Sequence, residues 1–60
     1  MNPHDPSTAR IYFSDGQIAE FNDGTLAYQT WLALPCGTRA AFRSKGDTRP
    51  VYVWDYADKP

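Results

Sequence analysis

The sequence contains one cysteine and no long hydrophobic run. Cys36 has no second cysteine in the chain, which excludes the internal disulfides that stabilise many small secreted domains. No stretch of about 18 apolar residues is present, and the N-terminus lacks the basic and then apolar segments of a signal peptide. We therefore expect a soluble, cytoplasmic protein with no membrane among its partners.

The chain also lacks the residue patterns of most catalytic and metal sites. Its single histidine, His4, together with Cys36 falls short of the three or four ligands that a metal site needs. Neither a glycine-rich phosphate loop nor a G-x-S-x-G motif occurs. A chain of 60 residues also leaves little room for a cleft that excludes water. The sequence thus predicts a protein that is not an enzyme and holds no cofactor or metal.

Aromatic residues, in contrast, are abundant. Aromatic residues make up 15% of the chain, apolar residues make up 42%, and the net charge is only −1, which is typical of a folded chain rather than a disordered one. A chain of this length forms one domain with a small core. Because large aliphatic residues are scarce, we expect aromatic side chains to supply most of that core and some rings to remain on the surface.

The periodicity of apolar residues predicts four strands and one helix. Strands are expected over residues 8–13 and 17–21, then a helix over residues 26–34, then strands over residues 38–44 and 51–56. The last of these is the strongest strand pattern, since nearly all of its residues are β-branched or aromatic. The order β-β-α-β-β indicates an α+β domain over residues 8–56.

The first hairpin has two possible registers. A two-residue turn at Asp15 and Gly16 would place Glu20 opposite Ile11. A longer turn with Gly16 in the left-handed conformation instead places Ala19 opposite Ile11 and gathers the apolar residues on one face. We favour the second register for that reason.

The segments around these elements are predicted to form helix caps and flexible termini. Residues 22–25 offer several N-cap side chains for the helix, and Pro35 and Gly37 are expected to stop it. Residues 1–7 are expected to form a flexible N-terminal arm and residues 57–60 a frayed tail.

This element order predicts a four-stranded antiparallel sheet with one short helix on one face. A single helix covers only one side of a sheet. The other side is therefore expected to be open to solvent or to a partner.

A row of rings on the last strand is the principal candidate for partner binding. On a strand, Tyr52, Trp54 and Tyr56 would share one face and the two valines the other. With the valines toward the helix, the rings lie on the open face, where tyrosine and tryptophan are common interface anchors. The alternative is that Tyr52 and Trp54 form the core and the valines face outward.

Three acidic residues complete the candidate partner-binding set: Glu20, Asp55 and Asp58. Carboxylates on one surface would engage a basic groove on a partner, and complementary charge speeds encounter and sets orientation. The competing interpretation is local, because aspartates in turns and caps have a structural role of their own.

Basic residues near the second hairpin suggest a different function. Combined with rings, they could bind single-stranded nucleic acid, with arginine on phosphate and bases stacked on aromatic faces. The overall charge of −1 disfavours this alternative, and solvated charges also protect sheet edges from aggregation. The residues concerned are Arg39, Arg43, Lys45 and Arg49.

A mildly acidic chain of 60 residues with this β-β-α-β-β plan resembles the small inhibitor proteins encoded by bacteriophages and mobile elements, anti-CRISPR proteins in particular. The resemblance lies in size, acidity and plan over the whole chain, and it carries over no residue roles. It implies a non-catalytic protein that acts in the cytoplasm of a bacterial host. Its partner would be a larger protein or ribonucleoprotein, such as a CRISPR effector complex whose recognition of DNA it blocks. We separately expect a monomer or a weak homodimer.

Overall fold

A computed structural model describes residues 7–59, in which four antiparallel strands form one sheet with a helix on one face. Most of the predicted N-terminal arm, residues 1–6, lies outside the described residues. The strands run in the spatial order β2-β1-β3-β4, and the helix lies between β2 and β3 in the chain. These elements are β1 (Ala9–Phe13), β2 (Ile18–Phe21), α1 (Gly24–Leu32), β3 (Arg39–Arg43) and β4 (Ala57–Asp58). The predicted α+β class and element order are confirmed.

The register of the β1–β2 hairpin follows the apolar pattern. Ile11 lies opposite Ala19, as predicted for the longer turn. The Phe13 N–H donates to the Gln17 carbonyl at 2.8 Å, and Gly16 adopts a φ of +96°, where other residues are strained. The register that forms is therefore the one that places the apolar residues on one face.

Helix α1 begins and ends two residues earlier than the predicted range. Asp23 is the N-cap, and its carboxylate accepts the N–H groups of Thr25 at 2.9 Å and Leu26 at 3.4 Å. The helix ends at Leu32. Pro35 contributes to this end, because a proline disfavours the helical conformation of the residue before it, here Leu34.

The core lies between α1 and the sheet, and its buried side chains are smaller than the aromatic ones predicted. Ile11 is fully buried, and the other buried apolar residues on this side of the sheet are Ala9, Ala27 and Ala40. The Phe42 ring contacts Tyr28 edge to face, with centroids 6.2 Å apart, and lies 5.9 Å from Trp31. All nine rings lie within residues 7–59, and none of them is fully buried. The expected aromatic core is therefore a half-exposed layer of rings over small buried side chains.

The strand predicted over residues 51–56 is wrong, because local hydrogen bonds replace strand pairing there. Val53–Asp55 form a single 3-10 turn. The Asp55 carboxylate accepts the Tyr52 N–H at 2.8 Å, and the Tyr52 carbonyl accepts the Asp55 N–H at 2.9 Å. Such bonds compete with a sheet ladder and outweigh β propensity. Pro50, just before this stretch, has no N–H to donate to a neighbouring strand.

The frayed tail predicted for residues 57–60 is also corrected for the part of it that the structure describes. Ala57–Asp58 form β4 beside β3. The Lys59 N–H donates to the Thr38 carbonyl at 2.8 Å, and the Gly37 N–H donates to the Lys59 carbonyl at 2.9 Å. The paired backbone therefore extends past the predicted domain boundary at Tyr56. Pairing with β4 gives hydrogen-bond partners to backbone N–H and C=O groups on the outer edge of β3.

Candidate functional site

The sheet face opposite α1, here called the reverse face, is partly covered by the protein itself. Strand pairing places seven described side chains of β1, β2 and β3 on it: Arg10, Tyr12, Ile18, Glu20, Arg39, Ala41 and Arg43. Ala41 is only 2% exposed and Arg43 only 8%. The prediction of a fully open second face is therefore wrong at β3, where Arg43 hydrogen-bonds to residues 49, 50 and 55 of the stretch 49–56, here called the C-terminal segment.

Arg43 makes the contacts that join the C-terminal segment to the sheet at this point. Its Nη2 donates to the Pro50 carbonyl at 3.1 Å and to Asp55 Oδ2 at 3.1 Å. Its Nε donates to the Arg49 carbonyl at 3.5 Å. A nearly buried charge is thus matched by a carboxylate and by backbone acceptors, as burial of an ion requires.

Two rings of the C-terminal segment stack on each other and face solvent. The Tyr52 and Trp54 rings are nearly parallel, at 13°, with centroids 4.8 Å apart. Tyr52 remains 49% exposed and Trp54 74%, so neither ring belongs to the core. We call this pair the aromatic platform. The pair forms at the 3-10 turn, with Tyr52 as its N-cap and Trp54 within it, and not on the predicted strand.

Tyr56, the third ring of the predicted row, does not join the platform. It follows the 3-10 turn in extended backbone and is half-buried. Val53, between the two platform residues, is 70% exposed and adds apolar surface. The candidate apolar contact is therefore Tyr52, Val53 and Trp54.

Each acidic residue of the predicted partner-binding set has an arginine partner within the chain. Glu20 pairs with Arg10 at 2.8 Å, Asp55 with Arg43 at 3.1 Å and Asp58 with Arg39 at 3.3 Å. Two of these pairs, Glu20 with Arg10 and Asp58 with Arg39, connect neighbouring strands. The reverse face therefore presents alternating charges and not a continuous acidic surface.

The basic residues of the nucleic-acid alternative are likewise engaged within the chain. Arg39 and Arg43 hold the carboxylates just described, and Arg43 is nearly buried. Lys45 donates through Nζ to the Asn22 carbonyl at 3.0 Å. Arg49 is bound by Asp47, with Nη2 at 2.7 Å from Oδ2. The structure does not gather these four side chains into one unpaired basic surface.

The Asp47–Arg49 pair joins the loop after β3 to the first residue of the C-terminal segment. Asp47 accepts from the Arg49 guanidinium and from its backbone N–H, at 3.0 Å. These hydrogen bonds hold the pKa of the Asp47 carboxyl well below its ordinary value. The carboxylate in turn raises the pKa of Arg49. The loop is therefore stabilised by a charged pair that remains ionised at neutral pH.

Among residues 7–59, no group of three or more histidine, cysteine, aspartate or glutamate side chains is placed to hold a metal ion. Over the same range, no helix has the length and apolar character needed to cross a bilayer. Cys36 lies exposed as a free thiol after α1.

Comparison of the chain with protein-family models, curated proteins and solved structures finds no match.

Proposed function

We propose that this protein is a non-catalytic interaction protein that binds a larger protein or ribonucleoprotein complex through the aromatic platform. The observation that carries the proposal is the pair of stacked rings, which remain 49% and 74% exposed on a segment held against the sheet. Covering apolar area is favourable by about 25 cal/mol per Å². Tyrosine and tryptophan are the side chains most often found as energetic anchors of interfaces.

The platform is also organised before any partner arrives. Its two rings are already stacked, and the segment that carries them is joined to the sheet by a nearly buried arginine. A surface that is ordered in advance loses less conformational entropy on binding than a flexible one. Because Glu20, Asp55 and Asp58 are all in ion pairs, we expect apolar contact to contribute more affinity than charge attraction.

The resemblance to anti-CRISPR proteins supplies a specific form of this proposal. In that form the partner is a CRISPR effector complex in a bacterial cytoplasm, and binding of this protein blocks recognition of DNA. The support is the size, the mild acidity and the α+β plan of the chain.

The experiment compares two alanine variants of exposed side chains. Trp54→Ala removes the larger ring of the platform, while Leu32→Ala removes a 56% exposed side chain on α1 as the control. Purified CRISPR effector complexes are titrated with each protein, and phage restriction is measured in cells that express it. We expect wild-type protein and Leu32→Ala to bind and to inhibit restriction, and Trp54→Ala to lose both.

Two results would count against the proposal in different ways. Equal binding by Trp54→Ala and wild-type protein would remove the platform as the contact surface. Binding to no CRISPR effector would remove the anti-CRISPR form.

The single-stranded nucleic-acid alternative is tested by titrating labelled DNA and RNA at about 50 mM salt, where phosphate contacts are strong. Binding that is lost in Arg49→Gln would favour that alternative instead.

A further inference from the structure

We propose that Arg43 is a positioning residue for the aromatic platform, and that its guanidinium orders the C-terminal segment so that Tyr52 and Trp54 stack toward solvent. Arg43 lies on β3, and its hydrogen bonds to the C-terminal segment go to residues 49, 50 and 55. Its effect is transmitted through the backbone of residues 49 and 50 and through Asp55. The inference deepens the proposed function and rests on it only for the platform's role in binding.

One carboxylate oxygen connects the sheet to the turn that carries the rings. Asp55 Oδ2 accepts Nη2 of Arg43 at 3.1 Å and the backbone N–H of Tyr52 at 2.8 Å. The first bond fixes Asp55 against the sheet, and the second closes the 3-10 turn at Tyr52. Since Trp54 lies within that turn, the orientation of both rings depends on the same carboxylate.

The length of the connection explains why such an anchor is needed. The chain between β3 and β4 runs over residues 44–56 and, apart from the 3-10 turn, contains no regular structure. Long connections of this kind are ordinarily mobile. The Asp47–Arg49 pair joins two residues of this connection to each other, whereas Arg43 joins it to a strand.

The chemistry of the guanidinium suits this position. Arginine presents five N–H donors in a planar fork, whereas lysine has one ammonium group on a flexible stem. Arg43 uses this fork to reach three acceptors of the C-terminal segment, two carbonyls and one carboxylate, and also the Phe42 carbonyl. A lysine would keep the charge but would not reach all three acceptors together.

The test measures the ring stack directly by NMR of the full chain. Tyr52 ring protons lie over Trp54 and are shifted by its ring current, and Trp54→Leu supplies the shift of the unstacked ring. We expect Arg43→Lys and Asp55→Asn to move the Tyr52 ring protons at least half of the way to that value. Amide exchange at Ile11 and Phe42 should stay within about threefold of wild type, because the sheet remains paired.

The matched control is Arg39→Lys. Arg39 lies four residues before Arg43 on the same strand and the same face and has its own ion pair with Asp58. We expect its Tyr52 shifts to remain at the wild-type position. Where a platform-binding partner is in hand, Arg43→Lys should weaken its binding at least tenfold and Arg39→Lys should not.

Two outcomes would overturn the proposal. In the first, both Arg43→Lys and Asp55→Asn retain the wild-type Tyr52 shifts. In the second, the stack is lost only together with protection at Ile11 and Phe42, which would make Arg43 a general stabiliser of the sheet. Should Arg43→Lys fail to fold, Asp55→Asn decides, since Asp55 lies outside the strands. The ring shifts need no partner, so failure of the proposed function leaves this test unaffected.

Discussion

Ile11 is the largest side chain that is fully buried among the described residues, and it shows how little material the core contains. Ile11→Val removes one methylene from a site enclosed by α1 and the sheet. The expected loss in the free energy of unfolding is about 0.5–1.5 kcal/mol, measured by urea denaturation. Ile18→Val is the matched control, because Ile18 is 55% exposed on the reverse face, and we expect its unfolding free energy to change little. Equal losses in the two variants would contradict this core.

Because the pKa of the Asp47 carboxyl is lowered in the folded protein, we expect the protein to lose stability in acid. That pKa is lowered, chiefly by hydrogen bonds from the Arg49 side chain and backbone, from an ordinary value of 3.8. A lowered folded-state pKa contributes stability that is fully present above the unfolded-state value and is lost as pH falls through the folded-state value. We therefore expect the unfolding free energy to fall below about pH 4, and to fall less steeply in Asp47→Asn.

The partner variant Arg49→Gln checks the cause of this pH dependence. It removes the guanidinium donor but leaves the Asp47 carboxyl in place. In an NMR titration of the aspartate side-chain carbons, Asp47 should titrate at higher pH in Arg49→Gln than in the wild-type protein. A wild-type Asp47 that already titrates near 3.8 would show that the pair does not form in solution.

At the scale of elements, the two glycines that flank β2 should respond in opposite ways to substitution by alanine. Gly16 has a φ of +96° in the hairpin turn, whereas Gly24 is the first residue of α1, where an added Cβ would meet only Lys45 Cβ at 3.8 Å. Gly16→Ala is expected to destabilise the protein by about 1 kcal/mol, because a side chain is strained in that conformation. Gly24→Ala is expected to stabilise it by about 0.4–1 kcal/mol, because the unfolded chain loses conformational freedom. Thermal unfolding of both variants measures the difference, and shifts of the same sign would contradict the turn geometry.

Elements whose signals are local could be predicted from the sequence. The β1–β2 register followed from the alternation around Ile11 and from Gly16, and the helix followed from its cap at Asp23 and from Pro35. In each case a side chain acts on backbone groups within a few residues, so the sequence pattern contains the whole cause.

The C-terminal segment could not be predicted in the same way. Its β-branched and aromatic residues favour a strand, but a strand also needs a partner over its full length, and pairing with β3 is limited to Ala57–Asp58. One local signal was available. Asp55 lies three residues after Tyr52, a spacing at which a carboxylate can accept the backbone N–H. The exposure of Tyr52 and Trp54 was among the expectations, whereas their stacking and the role of Arg43 depend on contacts across the fold.

At the scale of the whole molecule, the described residues form a thin body of 28 × 24 × 15 Å. Such a shape has room for one buried layer between α1 and the sheet, which explains why small side chains fill it and rings cover it. The same thinness leaves the reverse face to be covered by extended chain, and the C-terminal segment covers it at β3. The exposed platform is thus a consequence of covering a sheet face with a segment too short to bury its own rings.

The return of the chain to the sheet through β4 is tested by shortening the protein. Gly37 N–H donates to the Lys59 carbonyl at 2.9 Å, and Lys59 Nζ lies 4.6 Å from the centre of the Trp31 ring. A chain ending at Tyr56 lacks both contacts, and its Gly37 amide should exchange with solvent at least tenfold faster than in the full chain. The Phe13 amide, whose acceptor Gln17 lies in the first hairpin, is the internal control, and its exchange reports any general loss of stability. If Gly37 exchanged equally fast in both proteins, β4 would be frayed in solution, and residues 57–59 would not belong to the sheet that supports the platform.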